Sequence, residues 1–273
     1  QYANGGWGTR DICQGPVELL LARGDHATLR DLLLLVFAAQ NPDGDWPQWF
    51  MFFERERGIR APDSHGDIVF WPLLALGEYL TAAEDASILD ETVPFFDGRG
   101  AAEGQVAPLA IHVERALDVI AKRVVPGTRL AAYGNGDWND SLQPVNPAMK
   151  ERLCSGWTVA LHYHTLRTLA EGLRRAGRPR GARLAPDDLD RAAAEVLADY
   201  QRLLIADDLL AGFAHFEDDG RIEHLLHPSD DATGISYRLL PMMHSILWEL
   251  FTPEQAAAHV AILREHLLAP DGA

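Results

Sequence analysis

Cysteine, positive charge and long apolar runs are scarce in this 273-residue sequence, and each shortage excludes a class of protein. The two cysteines, Cys13 and Cys154, form no Cys-x-x-Cys pair, which argues against a disulfide scaffold and favours a reducing, cytoplasmic compartment. With 24 basic and 40 acidic residues the net charge is −16, so nucleic acids and anionic membrane surfaces would be repelled. The longest apolar run, residues 32–39, is too short to span a bilayer. We therefore expect neither a nucleic-acid nor a membrane partner.

Helical patterns dominate the remaining sequence, in which 47% of the residues are hydrophobic. No run alternates convincingly between apolar and polar residues, as a half-buried strand would. Eight helices are predicted at about residues 16–22, 28–40, 68–80, 107–123, 157–173, 186–204, 235–251 and 252–268, with a ninth left open. Most are entered from loops that carry Trp, Asp, His or Arg. We predict an all-α fold, an incomplete helical toroid; no recurring sequence period supports a helical-repeat solenoid.

The two ends of the sequence suggest a larger parent protein. The chain begins with Gln1 inside a glycine-rich segment and stops at residues 270–273, just after a predicted helix. We therefore expect an internal piece of a longer protein.

The stretch from Tyr133 to Asp140 has the composition of a loop, because glycine and asparagine favour turns and aspartate competes for its own backbone. It sets the aromatic face of Trp138 between the carboxylates of Asp137 and Asp140. That combination suits a sugar ring stacked beside an acid catalyst. A solvated turn with one tryptophan docked in the core would have the same spacing, so the loop alone leaves both interpretations open.

Two further loops carry residues that could bind sugar hydroxyls. Arg10 and Asp11 follow Trp7 in a glycine-rich segment, where they could bind hydroxyls or form a local ion pair. His65 and Asp67 lie in a polar loop before a predicted helix, and His65 could equally be an ordinary surface histidine. His162 and His164 are two residues apart on a predicted helix and do not share a face, so no metal site is expected there.

Four motifs, taken together and in order, resemble the catalytic region of glycoside hydrolase family 94. They are residues 8–14 (GTRDICQ), 64–67 (SHGD) followed by 71–72 (WP), 136–140 (GDWND), and 227–230 (HPSD) followed by 237–241 (YRLLP). The family includes cellobiose, chitobiose and oligo-β-glucan phosphorylases and the phosphorolytic part of cyclic β-glucan synthases. The resemblance covers nearly the whole chain.

The resemblance implies an (α/α)6 barrel, a toroid of six helical hairpins. Residues 1–273 would form one partial catalytic domain, without the family's N-terminal β-sandwich and closing C-terminal helices. Asp140 would be the general acid, and the following residues would bind the substrate: Arg10, Asp11, Gln14, His65, Asp67, Asp137 and Trp138. Many members carry an acidic residue where this chain has Gly15, so one sugar contact is in doubt and the preferred linkage can differ from that of cellobiose.

The implied reaction is inverting phosphorolysis of a β-linked gluco-oligosaccharide. Asp140 would protonate the glycosidic oxygen while inorganic phosphate attacks the anomeric carbon, giving α-glucose 1-phosphate and a shortened sugar. Burial against Trp138 and the like charge of Asp137 would keep Asp140 protonated. Phosphate is the co-substrate, and neither a cofactor nor a metal is expected. Members are often dimers, so a homodimer of the full-length protein is compatible, and we expect the fragment alone to be inactive.

Two alternatives from other classes remain open at this point. An inverting glycoside hydrolase on the same barrel would need a second carboxylate as base, for example Asp67 or Asp231. A non-catalytic carbohydrate-binding fragment would bind the sugar without turnover.

Overall fold

The structure, a computed structural model, describes residues 5–56, 58–96, 105–139, 146–177 and 184–272. The chain divides into two compact units. The first unit comprises residues 1–122 and 165–192, and the second comprises residues 123–164 and 193–273.

The first unit is built from helices with two short antiparallel ribbons. Its elements are β1 (Gly6–Gly8), α1 (Thr9–Ile12), α2 (Gly15–Ala22), α3 (His26–Phe37), β2 (Trp49–Met51), α4 (Phe70–Ala83), β3 (Thr92–Pro94), β4 (Val106–Pro108) and α5 (Leu109–Lys122). Strand β1 pairs with β2, and β3 pairs with β4. The C-terminal part of α6 (Gly156–Ala176) and the first turns of α7 (Pro186–Leu203) also belong to this unit.

Helix α4 is the centre of the first unit, since ten consecutive or near-consecutive residues of its first three turns are buried. A helix that is apolar on nearly every side must be enclosed by other elements. Helix α6 packs closely against α4 because each of the two helices carries a glycine at the contact. A Cβ added to Gly77 would lie 2.9 Å from the backbone N of Leu169, and one added to Gly172 would lie 2.5 Å from the Gly77 carbonyl oxygen.

The second unit combines helices with a three-stranded antiparallel sheet. Its elements are β5 (Leu153–Ser155), the remaining parts of α6 and α7, β6 (Ile205–Ala206), β7 (Leu209–Leu210), β8 (Phe213–Phe216), β9 (Ile222–Leu225), α8 (Leu239–Leu247) and α9 (Pro253–Ile262). The sheet order is β5-β8-β9, with Cys154 opposite Ala214 and Ala214 opposite His224. A buried hydrophobic cluster includes two residues of this sheet, Leu153 and Phe213, together with Tyr133 and Leu226.

The predicted helices are confirmed in position, although several ends differ by a few residues. Helix α3 begins two residues earlier than predicted, because the Asp25 side chain accepts a hydrogen bond from the Thr28 amide and caps the helix. Helix α9 begins as predicted, with a reciprocal pair of hydrogen bonds between Thr252 and Gln255. Among the described helices, none has the length and apolar character that crossing a bilayer requires.

The prediction of an all-α toroid is wrong. About 52% of the chain is helical, but 12% lies in strands that form several small antiparallel sheets. Each described strand has two to four residues, which is too short for an apolar–polar alternation to be recognised. The pairing of Trp7 in β1 with Phe50 in β2 shows why these strands were not predicted. The two residues are far apart along the chain, and their pairing depends on tertiary structure.

We expect Gly172→Ala to destabilise the chain by about 1–3 kcal/mol, because the new methyl group would overlap the Gly77 carbonyl. Helix propensity alone would favour alanine by about 1 kcal/mol, so the sign of the change tests the close helix contact. Urea unfolding monitored by circular dichroism measures the effect.

The matched control for this substitution is Gly15→Ala at the start of α2. A Cβ there meets no atom within 4 Å, so this variant should be neutral or slightly more stable. A Gly172→Ala protein as stable as Gly15→Ala would contradict the contact.

Candidate functional site

A buried ion pair joins two of the predicted sugar-binding residues in the first unit. Arg10 donates from Nε to Asp67 Oδ2 and from Nη2 to Asp67 Oδ1, both at 2.9 Å. Asp67 is fully buried and Arg10 is nearly so. Two parallel hydrogen bonds at these distances fix the guanidinium and carboxylate in one plane. The pair joins helix α1, which carries Arg10, to the loop that precedes α4 and carries Asp67.

Three other side chains surround this pair. Trp71 donates from Nε1 to Asp67 Oδ2 at 2.9 Å. His65 Nδ1 lies 3.4 Å from Arg10 Nη2 and 3.4 Å from Gln48 Nε2, while the His65 amide donates to Gln48 Oε1 at 3.2 Å. The result is a polar cluster in which His65 is oriented by its neighbours on α1 and on the loop after α3.

The other two predicted sugar-binding residues of the first unit, Asp11 and Gln14, follow Arg10 within four residues of the chain. Gln14 donates from Nε2 to the Arg10 carbonyl at 3.2 Å, so its amide supports the turn that follows α1. The Asp11 side chain covers Gly8 so closely that a Cβ at that position would overlap its carboxylate. The structure therefore brings five of the predicted residues into one neighbourhood of the first unit: Arg10, Asp11, Gln14, His65 and Asp67.

The described part of the central loop, residues 133–139, is held in the second unit mainly by backbone hydrogen bonds. The Tyr133 amide donates to the Leu153 carbonyl at 2.7 Å, and the Gly134 amide donates to the Lys150 carbonyl at 3.0 Å. Gly134 and Gly136 have φ angles of 60° and 139°, which side chains other than glycine rarely adopt. These φ angles explain why glycine suits both positions of the loop.

Asp137 is the buried anchor of this loop. Its Oδ1 accepts from the Asn139 amide at 2.9 Å, and its Oδ2 accepts from Thr158 Oγ1 at 3.3 Å. Arg238 Nη2 lies 3.5 Å from the same Oδ2 and completes a buried ion pair. Asp137 thus ties the central loop to α6 and to the segment before α8.

Arg238 is in turn held on several sides. It donates from Nη1 to Ser155 Oγ at 2.9 Å and to the Gly212 carbonyl at 3.3 Å, and its guanidinium lies 4.5 Å from the centre of the Phe213 ring. The sequence motif around Tyr237–Pro241 was part of the family resemblance, but no role for Arg238 was predicted. Only the fold could reveal its partner, since Asp137 lies 101 residues away along the chain.

Trp138 remains 46% exposed beside the buried Asp137, so its ring face is available for stacking on a ligand. Behind it lies a series of aromatic rings that sequence reasoning missed. The ring centroids of Trp157 and Trp138 are 6.4 Å apart. The His244 ring packs against both Trp157 and Trp248. The His164 ring stacks on Trp248 with a centroid distance of 4.4 Å. Trp157 is the member of this series that lies beside the exposed Trp138.

Burial keeps the histidines of this series uncharged. It lowers the pKa of His164 to about 4, with a smaller contribution from His244, and it also lowers the pKa of His244. Burial likewise lowers the pKa of His162 to about 3. At neutral pH these imidazoles are therefore uncharged, which for His164 and His244 suits their packing against the Trp248 ring.

The motif at residues 227–230 forms a turn that is also bonded to an earlier segment, since His227 Nε2 lies 3.1 Å from the Ala206 carbonyl oxygen. Asp230 accepts hydrogen bonds from the amides of Leu226, Ala232 and Thr233 at 2.8 to 3.0 Å. Burial raises the pKa of Asp230, but the hydrogen bonds from Thr233 and the backbone outweigh it, and the pKa lies below its usual range. Its conformation indicates that Asp230 shapes the loop rather than transferring protons.

The predicted general acid, Asp140, lies outside the described residues. The structure places its neighbours Asp137 and Trp138 in the second unit and the five other predicted sugar-binding residues in the first. Both cysteines are buried free thiols, and burial raises the pKa of Cys154 to about 12.

One curated protein is similar to this chain over the whole of its length. Over 275 residues the chain is 42% identical to the 1,2-beta-oligoglucan phosphorylase of Listeria innocua, and the alignment covers all of this chain and 24% of that protein. The chain thus spans about a quarter of the length of this curated relative. No family model matches the sequence.

A solved structure resembles the chain in fold. The rhamnosidase of Klebsiella oxytoca, solved with rhamnose bound, superimposes with a TM-score of 0.58 at 14% identity, over 95% of this chain and 41% of that one. At such low identity the likeness concerns the fold alone.

We expect Asp67→Ala to lower the free energy of unfolding by about 3–5 kcal/mol, because it leaves the Arg10 charge buried beside the space of its lost partner. Urea unfolding of the purified chain measures the loss. The control is Arg191→Gln, which breaks an exposed ion pair with Asp188 and should change stability by less than about 0.5 kcal/mol. Equal losses of unfolding free energy for the two substitutions would show that the buried pair stabilises the chain no more than the exposed pair does.

Proposed function

We propose that this chain is the catalytic portion of a glycoside phosphorylase of the family 94 type, which cleaves β-linked gluco-oligosaccharides with inorganic phosphate. The observation that carries this proposal is the 42% identity to a 1,2-beta-oligoglucan phosphorylase over the full length of the chain. The four ordered motifs described above support it independently of that comparison.

In the proposed reaction Asp140 is the general acid and Trp138 is the stacking surface for the reacting sugar. Support comes from the loop that precedes Asp140: Asp137 is fixed by Arg238, Thr158 and the Asn139 amide, while the ring of Trp138 stays exposed. A rigid loop would hold an acid at a fixed distance from a stacked ring, as positioned acid catalysis requires.

In the first unit, Arg10 and His65 are proposed to contact sugar hydroxyls, with Asp11 and Gln14 nearby. Asp67 would act through Arg10, because both of its oxygens accept hydrogen bonds from that guanidinium and one also accepts from Trp71. A guanidinium held in this way loses little conformational entropy when a hydroxyl binds.

The proposed chemistry needs one carboxylic acid and one anionic nucleophile. Asp140 would protonate the glycosidic oxygen as phosphate attacks the anomeric carbon from the opposite face, so the products would be α-glucose 1-phosphate and a shortened oligosaccharide. Arg238 lies beside Asp137 and offsets its negative charge. Burial under the bound sugar, more than repulsion from Asp137, would then keep Asp140 protonated.

We expect Asp140→Asn to abolish phosphorolysis, with a loss of at least about a hundredfold in kcat, while sugar binding is retained. The measurement is release of glucose 1-phosphate from β-1,2-, β-1,3- and β-1,4-linked gluco-oligosaccharides, with and without phosphate. It should be made in the longest polypeptide that contains this chain. The relative's name makes the β-1,2 series the first expectation.

The control for this experiment is Asp187→Asn, which changes an aspartate at the exposed start of α7 and should leave kcat unchanged. Full turnover by Asp140→Asn would remove Asp140 from its role. Free glucose formed equally well without phosphate would indicate a hydrolase, and binding without any turnover would indicate a carbohydrate-binding protein.

A further inference from the structure

A cluster of metal-ligating side chains lies on the hairpin of β8 and β9 in the second unit. His215 on β8 is directly opposite Glu223 on β9, and Glu217 follows His215 by two residues. Residues two apart on a strand point to the same side, and so do directly opposite residues of an antiparallel pair. The three side chains therefore project from one face of the hairpin.

Their ligand atoms converge on one another at ion-pair distances. His215 Nδ1 lies 3.3 Å from Glu217 Oε1 and 3.6 Å from Glu223 Oε2, and all three atoms lie within 4.8 Å of one another. Within the described part of the chain, this Nδ1 is shielded from solvent and has no hydrogen-bond partner. A buried ring nitrogen is normally satisfied, so this geometry needs another explanation.

The spacing and chemistry fit a transition metal. Bonds of about 2.1 Å at tetrahedral angles place zinc ligand atoms about 3.4 Å apart, between the two measured distances. One imidazole and two carboxylates form a mixed ligand set that zinc accepts, whereas magnesium and calcium prefer oxygen alone. Three protein ligands leave a fourth position for water.

The surroundings keep the cluster negative and reachable from solvent. Glu217 and Glu223 are partly exposed, with 39% and 49% of their side chains accessible. Arg221 shares this face and interacts electrostatically with both glutamates, but its guanidinium bonds to Asp219 at 2.7 Å. The two carboxylates give the cluster a negative charge, opposite in sign to the ion.

We propose that His215, Glu217 and Glu223 form a binding site for a divalent transition metal, with zinc as the best fit. None of these three residues is among those assigned to phosphorolysis. By joining β8 to β9 the metal would stabilise the hairpin that carries Phe213, a member of the buried cluster around Tyr133.

The test is metal binding to the purified, chelator-treated chain. We expect one zinc ion per chain by isothermal titration, with an increase in Tm of about 5 °C at a zinc concentration about 100 times Kd. Cobalt should give the strong visible absorption of a tetrahedral site. His215→Gln and Glu223→Gln should each weaken zinc binding by about tenfold or more.

Matched controls change the same residue types elsewhere. His26→Gln at the start of α3 and Glu249→Gln after α8 should leave zinc affinity unchanged. Glu217→Gln provides a further ligand variant at a partly exposed position, and circular dichroism checks that each variant is folded. Absence of zinc binding, or binding that survives both His215→Gln and Glu217→Gln, would overturn the proposal.

Discussion

A carboxylate removed from water must be matched by a cation and by hydrogen-bond donors, and the loops of both units are arranged to satisfy this requirement. In the first unit Arg10 meets Asp67, and in the second Arg238 meets Asp137. Each pair joins segments that are distant in sequence. The pairs therefore determine where the loops with the proposed sugar-binding residues can lie, and substituting one partner would disturb a whole loop as well as a contact.

The two pairs differ in how they hold their carboxylates, and this difference fits different tasks. Asp67 receives a planar, two-point contact at 2.9 Å, which fixes Arg10 as much as it fixes the aspartate. Asp137 has a longer contact with Arg238 and shorter ones from the Asn139 amide in its own loop and from Thr158 on α6, so several segments share in fixing it. The first arrangement fixes the orientation of the Arg10 guanidinium, whereas the second leaves Trp138 partly exposed to solvent.

The sequence predicted the helices well because each has an apolar pattern over several turns, and caps such as Thr252 mark where they begin. It failed for the strands, since segments such as Ile205–Ala206 are defined only by their partners. The same limit explains why Arg238 was missed and why the cluster of His215 with Glu223 was not foreseen. Those contacts depend on register and on tertiary closure, which one sequence without relatives does not reveal.

The structure also bears on the choice between phosphorolysis and hydrolysis. An inverting hydrolase needs a second carboxylate free to take a proton from water. Asp67 is unsuited, because both oxygens accept from Arg10 and its burial without Arg10 would be costly. Asp231 is exposed beside Asp230, whose oxygens are already used by the backbone. Asp67 is thus committed to holding Arg10, and Asp231 is the remaining candidate base of the two; a phosphate nucleophile would need neither, because it brings its own negative charge.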